Sequence, residues 1–295
     1  MRLGMPLPSH DDPGAGLAWA TAHGLGAVYV EERWCPDEAS ARAYGQRIRA
    51  AGLVAAELGA WCNPLDTDAV ARQLALERCQ RLLALADAAE ARCCVNIAGS
   101  LGPKWDGPFA ADLAPEAFER IVASVRAIVD AVKPRRTTYV LETMPWMLPD
   151  SVASYQALLI AIDRPCVAVH FDLVNLINSP RLYFDHAPLI AEFVAVLGSR
   201  IRSVHIKDVR LRDHLTLHLD ECRPGTGALD HGMLLRALSR LDADLPCLLE
   251  HCPSTEDYLL GVAHLTRCAK QQRLTFIAAK GNQPALQTDA GTRPG

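Results

Sequence analysis

Cys166-Val167-Ala168-Val169-His170-Phe171-Asp172 is the stretch that decides the fold. It is short, apolar and β-rich, and it ends on a carboxylate. Side chains alternate along a strand, so Ala168, His170 and Asp172 share one face while Phe171 packs on the other. Seven further runs of this kind lie at residues 3–7, 27–31, 53–60, 93–98, 138–142, 201–207 and 247–250. The separations of roughly 25 to 45 residues leave room each time for a loop, a helix and a return loop, as parallel strands require. The intervening stretches carry helix-start signals, such as Pro149-Asp150-Ser151 before Val152, and Ser254 followed by Thr255-Glu256-Asp257. Eight βα units predict an α/β chain with one closed (β/α)8 TIM barrel.

The chain has 295 residues, a length that alone would suggest two domains, but α/β barrels of about 250 residues stand as one. No Pro/Gly/Ser-rich linker interrupts the series, so residues 1–280 are assigned to the barrel. Residues 281–295, rich in Gly, Pro, Thr and Gln, are expected to form a disordered tail. Half the residues are hydrophobic and 22% are charged, ample for a large core. A net charge of −4 disfavours nucleic-acid binding. A mean hydropathy of +0.06, with no apolar run of membrane-span or signal-peptide length, predicts a cytoplasmic protein that engages no membrane. The 10 cysteines are scattered without a C-x-x-C spacing and are expected to be reduced and mostly buried. A homo-oligomer is left open.

In a parallel barrel the active site forms at the C-terminal strand ends. Four of these ends are polar: Glu142 closes the fifth run, Asp172 the sixth, His205-Ile206-Lys207-Asp208 the seventh and Glu250 the eighth. By alternation Val140 and Glu142 face inward, as do His170 and Asp172, Ser203, His205 and Lys207, and Leu248 and Glu250. Leu141, Phe171, Val204, Ile206 and Leu249 face the helices, and His251 is expected to point outward. Three carboxylates and a histidine at one point on the axis would carry a charge of about −3 if unpaired, which is very costly without a cation. One divalent metal resolves the crowding, and a mixed oxygen/nitrogen donor set suits Mn²⁺, Mg²⁺ or Co²⁺ better than structural zinc.

The chain, over essentially the whole barrel at about residues 1–275 and most specifically in its second half, resembles the xylose isomerase-like barrels, which include sugar and sugar-phosphate isomerases and epimerases of the D-tagatose 3-epimerase type. The resemblance rests on Leu141-Glu142, Phe171-Asp172-Leu173-Val174-Asn175, His205-Ile206-Lys207-Asp208, the Pro224-Gly225-Thr226-Gly227 turn and Leu249-Glu250. It implies that Glu142, Asp172, His205 and Glu250 are metal ligands, and that Glu142 and Glu250 are the acid/base pair on opposite faces of a sugar. Such parts suit proton abstraction α to a carbonyl, with a metal polarising the oxygen and an enediolate between. The chain departs from many such epimerases at Asn175, where they carry a histidine.

Other inward or mouth residues have open roles. Lys207 either meets substrate or pairs with Asp172 or Glu250. Glu57 and Asn96 can bind hydroxyls, Glu57 alternatively being held by an arginine deeper in the barrel. His170 is either an orienting residue or a core histidine. Trp34, Trp61, Trp105 and Trp146 follow strands two to five, and Trp61 and Trp146 are candidates to stack on a sugar face. The expected function is a metal-dependent sugar isomerase or ketose epimerase. The same site can instead serve a lyase, decarboxylase or dehydratase acting on a keto-sugar or sugar acid. Metal-dependent hydrolysis is disfavoured because strands two to four end without an inward histidine. A non-catalytic carbohydrate-binding barrel would have no need of both Glu142 and Glu250.

Overall fold

The computed structural model describes residues 1–279, so the expected tail at 281–295 lies outside the described residues. The first half runs β1 (Arg2–Gly4), α1 (Pro13–Ala22), β2 (Ala27–Val28), α2 (Glu38–Ala50), β3 (Val54–Ala55), β4 (Glu57–Gly59), α3 (Ala69–Ala89), β5 (Cys93–Asn96) and α4 (Pro115–Val132). The second half runs β6 (Tyr139–Leu141), α5 (Val152–Ile162), β7 (Val167–Asp172), α6 (Pro180–Phe184), α7 (Ala187–Leu197), β8 (Ile201–Ile206), β9 (Asp208–Leu211), β10 (Leu219–Cys222), α8 (His231–Leu238), β11 (Pro246–Leu249) and α9 (Thr255–Gln271). The two helix starts read from sequence are in place. Ser151 caps α5 in a reciprocal box with Ser154, and Ser254 caps α9 by accepting from the Asp257 N–H.

Seven strands form one parallel ladder in the order β1-β11-β8-β7-β6-β5-β4, and β2 pairs with β3. β3 and β4 are one extended stretch interrupted at Ala56. Its Ala56 N–H donates to Val28 on one side, while Ala56 O accepts from Cys93 on the other. The Gly26 N–H donates to Leu3 O at 2.9 Å, which links β2 to β1. All eight runs read from sequence therefore occupy strand positions around the ring. Gly4 permits this approach, since a Cβ there would lie 2.6 Å from the Ala27 carbonyl oxygen. One element was not foreseen: β9 and β10 form an antiparallel hairpin above the end of β8.

Alternation sorts the core as expected. Leu141, Phe171, Val204, Ile206 and Leu249 are buried in the large cluster shared with the helices, where Phe171 stacks on Phe193 of α7 at 3.9 Å. Inside the ring, Cys93, Val95, Val140 and Ala168 form a separate small cluster. A register shift between β7 and β8 separates the pair Val169 with Ile201 from the pair His170 with Ser203. The shift brings the polar ends into phase, so that Asp172 sits opposite His205. The cysteines are free thiols, but burial is less general than expected: Cys62, Cys166, Cys222, Cys252 and Cys268 are only partly covered.

Candidate metal centre and active-site cleft

Glu142, Asp172, His205 and Glu250 arrive from four adjacent strand ends and place one ligand-type atom each within 4.8 Å of one another. His205 Nδ1 lies 3.2 Å from Glu142 Oε1 and 3.1 Å from Glu250 Oε2. Lys207 Nζ lies 2.8 Å from Asp172 Oδ2, 3.0 Å from Glu250 Oε2 and 3.2 Å from Glu221 Oε1. Both cations are buried. Burial would strip Lys207 of its charge, but Asp172, Glu250, Glu142 and Glu221 hold its pKa well above the usual lysine value. His205 behaves alike: burial opposes the proton, and Glu250, Glu57 and Glu142 outweigh it.

The carboxylates still outnumber these two cations. The residues fit a divalent ion on two observations. The donors are hard oxygens with one imidazole, and Asp172 Oδ2 and Glu250 Oε2, buried and ion-paired with Lys207, accept no well-aligned hydrogen bond among the described residues. A cation at this point would satisfy both.

The two glutamates are driven apart in proton affinity. Burial, reinforced by the Glu250 charge, raises Glu142 despite His205 and Lys207. Burial would raise Glu250 too, but His205, Lys207 and His251 hold it well below the ordinary range.

Beneath this group lies a second buried set. Glu57 Oε1 meets His205 Nε2 at 2.9 Å, and its Oε2 accepts from Ser203 Oγ at 2.6 Å. His170 Nε2 stands 3.3 Å from Glu57 Oε2, and its ring packs edge-on to His205 at 4.1 Å. With Nε2–H given to Glu57, His205 presents an unprotonated Nδ1 whenever a cation is bound above it. Burial would raise Glu57, but His205 and His170 hold it far below the usual carboxylate range.

These positions correct several expectations. Glu57, 1% exposed, does not reach the cleft; it is held by Ser203 and the two histidines and by no arginine. Asn96 is fully buried too, and its side chain bonds the Cys62 backbone N–H and carbonyl, so it fixes the loop after β4 and does not line the cleft. His170 lies beside Glu57 and His205, and its ring nitrogens make no well-aligned hydrogen bond among the described residues, so it is not a satisfied core histidine. Lys207 makes the ion pairs with Asp172 and Glu250 while also bordering the cleft. Asn175 lines the cleft, its amide nitrogen donating to Glu142 Oε1 at 3.2 Å and to Thr143 O.

Above the carboxylates opens a cleft of about 490 Å³ walled by Trp61, Trp105, Trp146 and Met144, within the size range of small-molecule sites. Trp61 and Trp146 are 39% and 36% exposed. The Trp146 indole N–H donates to Asp106 O, and a Cβ on Gly59 would collide with the Trp61 indole nitrogen. Trp34, by contrast, packs against the core.

Two cleft residues escaped the sequence reading. His251 lines the cleft instead of pointing outward, because β11 ends at Leu249 and His251 takes a left-handed φ of +56° that breaks the alternation. Its Nδ1 lies 2.6 Å from Glu221 Oε2 on β10. Glu221 holds His251 above the usual histidine pKa. The polar β9–β10 hairpin offers no apolar run to announce it.

The family model for the xylose isomerase-like TIM barrel matches residues 18–268. The chain belongs to that family. No curated protein sequence matches it. Among solved structures, this xylose isomerase-like barrel is similar to 3-keto-D-glucoside 4-epimerase from E. coli, at 16% identity and a TM-score of 0.68 over 91% of this chain and 100% of that one. It is also similar to D-psicose 3-epimerase from Clostridium cellulolyticum H10, at 12% identity and a TM-score of 0.67 over 92% and 98%. A third is the probable 3-DHS dehydratase from Bacillus anthracis, at 16% identity and a TM-score of 0.65 over 89% and 97%. At such identities the likeness shows the fold. No helix among the described residues is long and apolar enough to cross a membrane.

Proposed function

We propose that the protein is a divalent-metal-dependent isomerase or epimerase of a small ketose or keto-sugar, working by α-proton abstraction through an enediolate. The observation that carries this reading is one cluster holding a metal-type donor set and two carboxylates of unequal proton affinity at the floor of an open cleft. Glu142, Asp172, His205 and Glu250 would hold the ion, with Mn²⁺ the best match to three carboxylates and an imidazole and Mg²⁺ or Co²⁺ able to replace it. When bound, the metal supplies Lewis acidity that stabilises the developing oxyanion.

The remaining work belongs to the chain itself. Glu250, held ionised, takes the proton from carbon, and Glu142, with the higher proton affinity, returns one on the other face. Asn175 orients Glu142, the Lys207 ammonium offsets developing negative charge, and Trp61 and Trp146 cover the apolar faces of the sugar.

A second reading keeps the site and changes the outcome. His251, its proton affinity raised by Glu221 at the cleft wall, is placed to protonate a leaving hydroxyl, as a dehydratase or other lyase acting on a keto-sugar or sugar acid would require. Incubating the Mn²⁺-loaded protein in D₂O with a panel of ketoses, keto-glycosides and keto-acids separates the two. Deuterium incorporation without loss of substrate mass supports isomerisation, and loss of water or carbon dioxide supports the lyase. Absence of both across the panel refutes the enediolate chemistry.

A further inference from the structure

At the N-terminal ends of β5, β6 and β8, opposite the cleft, is a second concavity of about 930 Å³. Its wall carries the guanidinium groups of Arg92, Arg135, Arg136, Arg202 and Arg240, against only Glu90 and Asp242. Both acids are already engaged, Glu90 with Arg49 at 3.3 Å and Asp242 with Arg92. Arg136 reaches Asp87 only at 3.8 Å. Among the described residues, the guanidinium groups of Arg135, Arg202 and Arg240 have no carboxylate within 4.0 Å, although the Arg135 backbone N–H donates to Asp87.

We propose that this groove is a binding site for a small phosphorylated polyanion of the diphosphate class, held by Arg92, Arg202 and Arg240 with Thr137 at its floor. Three observations converge. Thr137 is 4% exposed, lines the groove, and its Oγ1 has no hydrogen-bond partner; Arg92 Nε is likewise buried without an acceptor. Arg202 is half-buried, and its Nη1 alone is engaged, with the carbonyls of Ser199 and Ile201 at the groove edge, which leaves Nε and Nη2 without a protein acceptor among the described residues. Burial, together with the charges of Arg92 and Arg200, depresses its proton affinity more than the charge of Asp242 restores it. The rigid fork of a guanidinium matches phosphoryl oxygens in pairs, so arginines converging with a free hydroxyl suit two adjacent phosphoryl groups better than a carboxylate or chloride.

The groove is independent of the reaction assigned to the cleft. Its test is calorimetric titration of the full chain at about 0.15 M ionic strength with sodium pyrophosphate and, in a parallel arm, ADP. The expected result is saturable one-to-one binding of pyrophosphate that weakens with added salt and falls at least about tenfold in the Arg202→Gln/Arg240→Gln double variant. Equal binding of ADP identifies a nucleotide-type ligand and exclusive binding of pyrophosphate an inorganic one; both support the groove. Should the double variant fail to fold, Thr137→Val supplies the comparison, with binding weakened about threefold or more. No saturable binding of pyrophosphate, or binding undiminished in the variants and hence seated elsewhere, overturns the proposal.

Discussion

Replacing Glu57 by Gln tests whether the lower buried set governs the upper one. The variant is isosteric, and with its amide oxygen toward His205 and its amide nitrogen toward the Ser203 hydroxyl, which can turn to accept, both neighbours keep a partner while the charge is lost. In the native protein the Glu57 carboxylate meets His205 Nε2 at 2.9 Å in a fully buried setting. A hydrogen bond to a charged group contributes about 1.5–3 kcal/mol and a neutral one about 0.5–1.5, so the exchange removes about 1–1.5 kcal/mol. Part of that loss cancels, because Glu57 also strengthens the hold of His205 on the proton that competes for Nδ1. A divalent ion feels the lost charge twice as strongly as a proton, so the balance still falls against the metal. The net expectation is Mn²⁺ affinity about fivefold weaker, somewhat below the usual effect of orienting residues on metal sites. The assay is titration of chelator-stripped protein with Mn²⁺, followed by the paramagnetic signal of the free ion, with circular dichroism confirming the fold. Affinity within twofold of the native protein would refute both the orienting role of Glu57 and the placement of the ion at His205 Nδ1.

Two further outcomes are expected. Lys207→Met leaves Asp172 and Glu250 facing each other without their ammonium and should cost about 3–5 kcal/mol in the metal-free protein; Mn²⁺ should then raise the melting temperature of the variant more than that of the native chain, and an unchanged metal-free stability would count against the buried ion cluster. Glu32 has its pKa lowered despite partial burial, by hydrogen bonds from Arg78 and Arg81. Its contribution is therefore fully present above the unfolded carboxylate value near 4.5 and disappears as pH falls through the lower folded value. In urea titrations the gap between native and Glu32→Gln midpoints should shrink from pH 7 to pH 3, and a constant gap would contradict that pairing.

The ring of strands and the upper donor set were legible because strand alternation is strict where both faces are buried. Phe171 and Leu249 had to face helices, which sent Asp172 and Glu250 inward. Legibility ended where the backbone left the strand. His251 follows one residue of left-handed geometry, which no alternation foresees, and Glu221 sits on a polar hairpin whose position depends on β9 folding back above β8. Glu57 was readable as inward but not as subordinate to His205, since sequence gives a side chain's face and not its depth. Asn96 failed for the same reason: an inward amide one layer too low finds backbone before it finds a ligand.

The register shift between β7 and β8 has an evolutionary corollary. Among the described residues it is where the strands that carry the candidate donor set change phase, with Arg202 as the residue passed over. Loops at the mouth can lengthen, shorten or exchange residues and alter only what the cleft accepts. Loss of a single residue between Ile201 and His205 would remove the irregularity and leave Ile201 toward the helices and the imidazole toward the axis. The place of His205 opposite Asp172 thus tolerates one residue fewer along this strand, and the candidate donor set does not hang on the mouth loops.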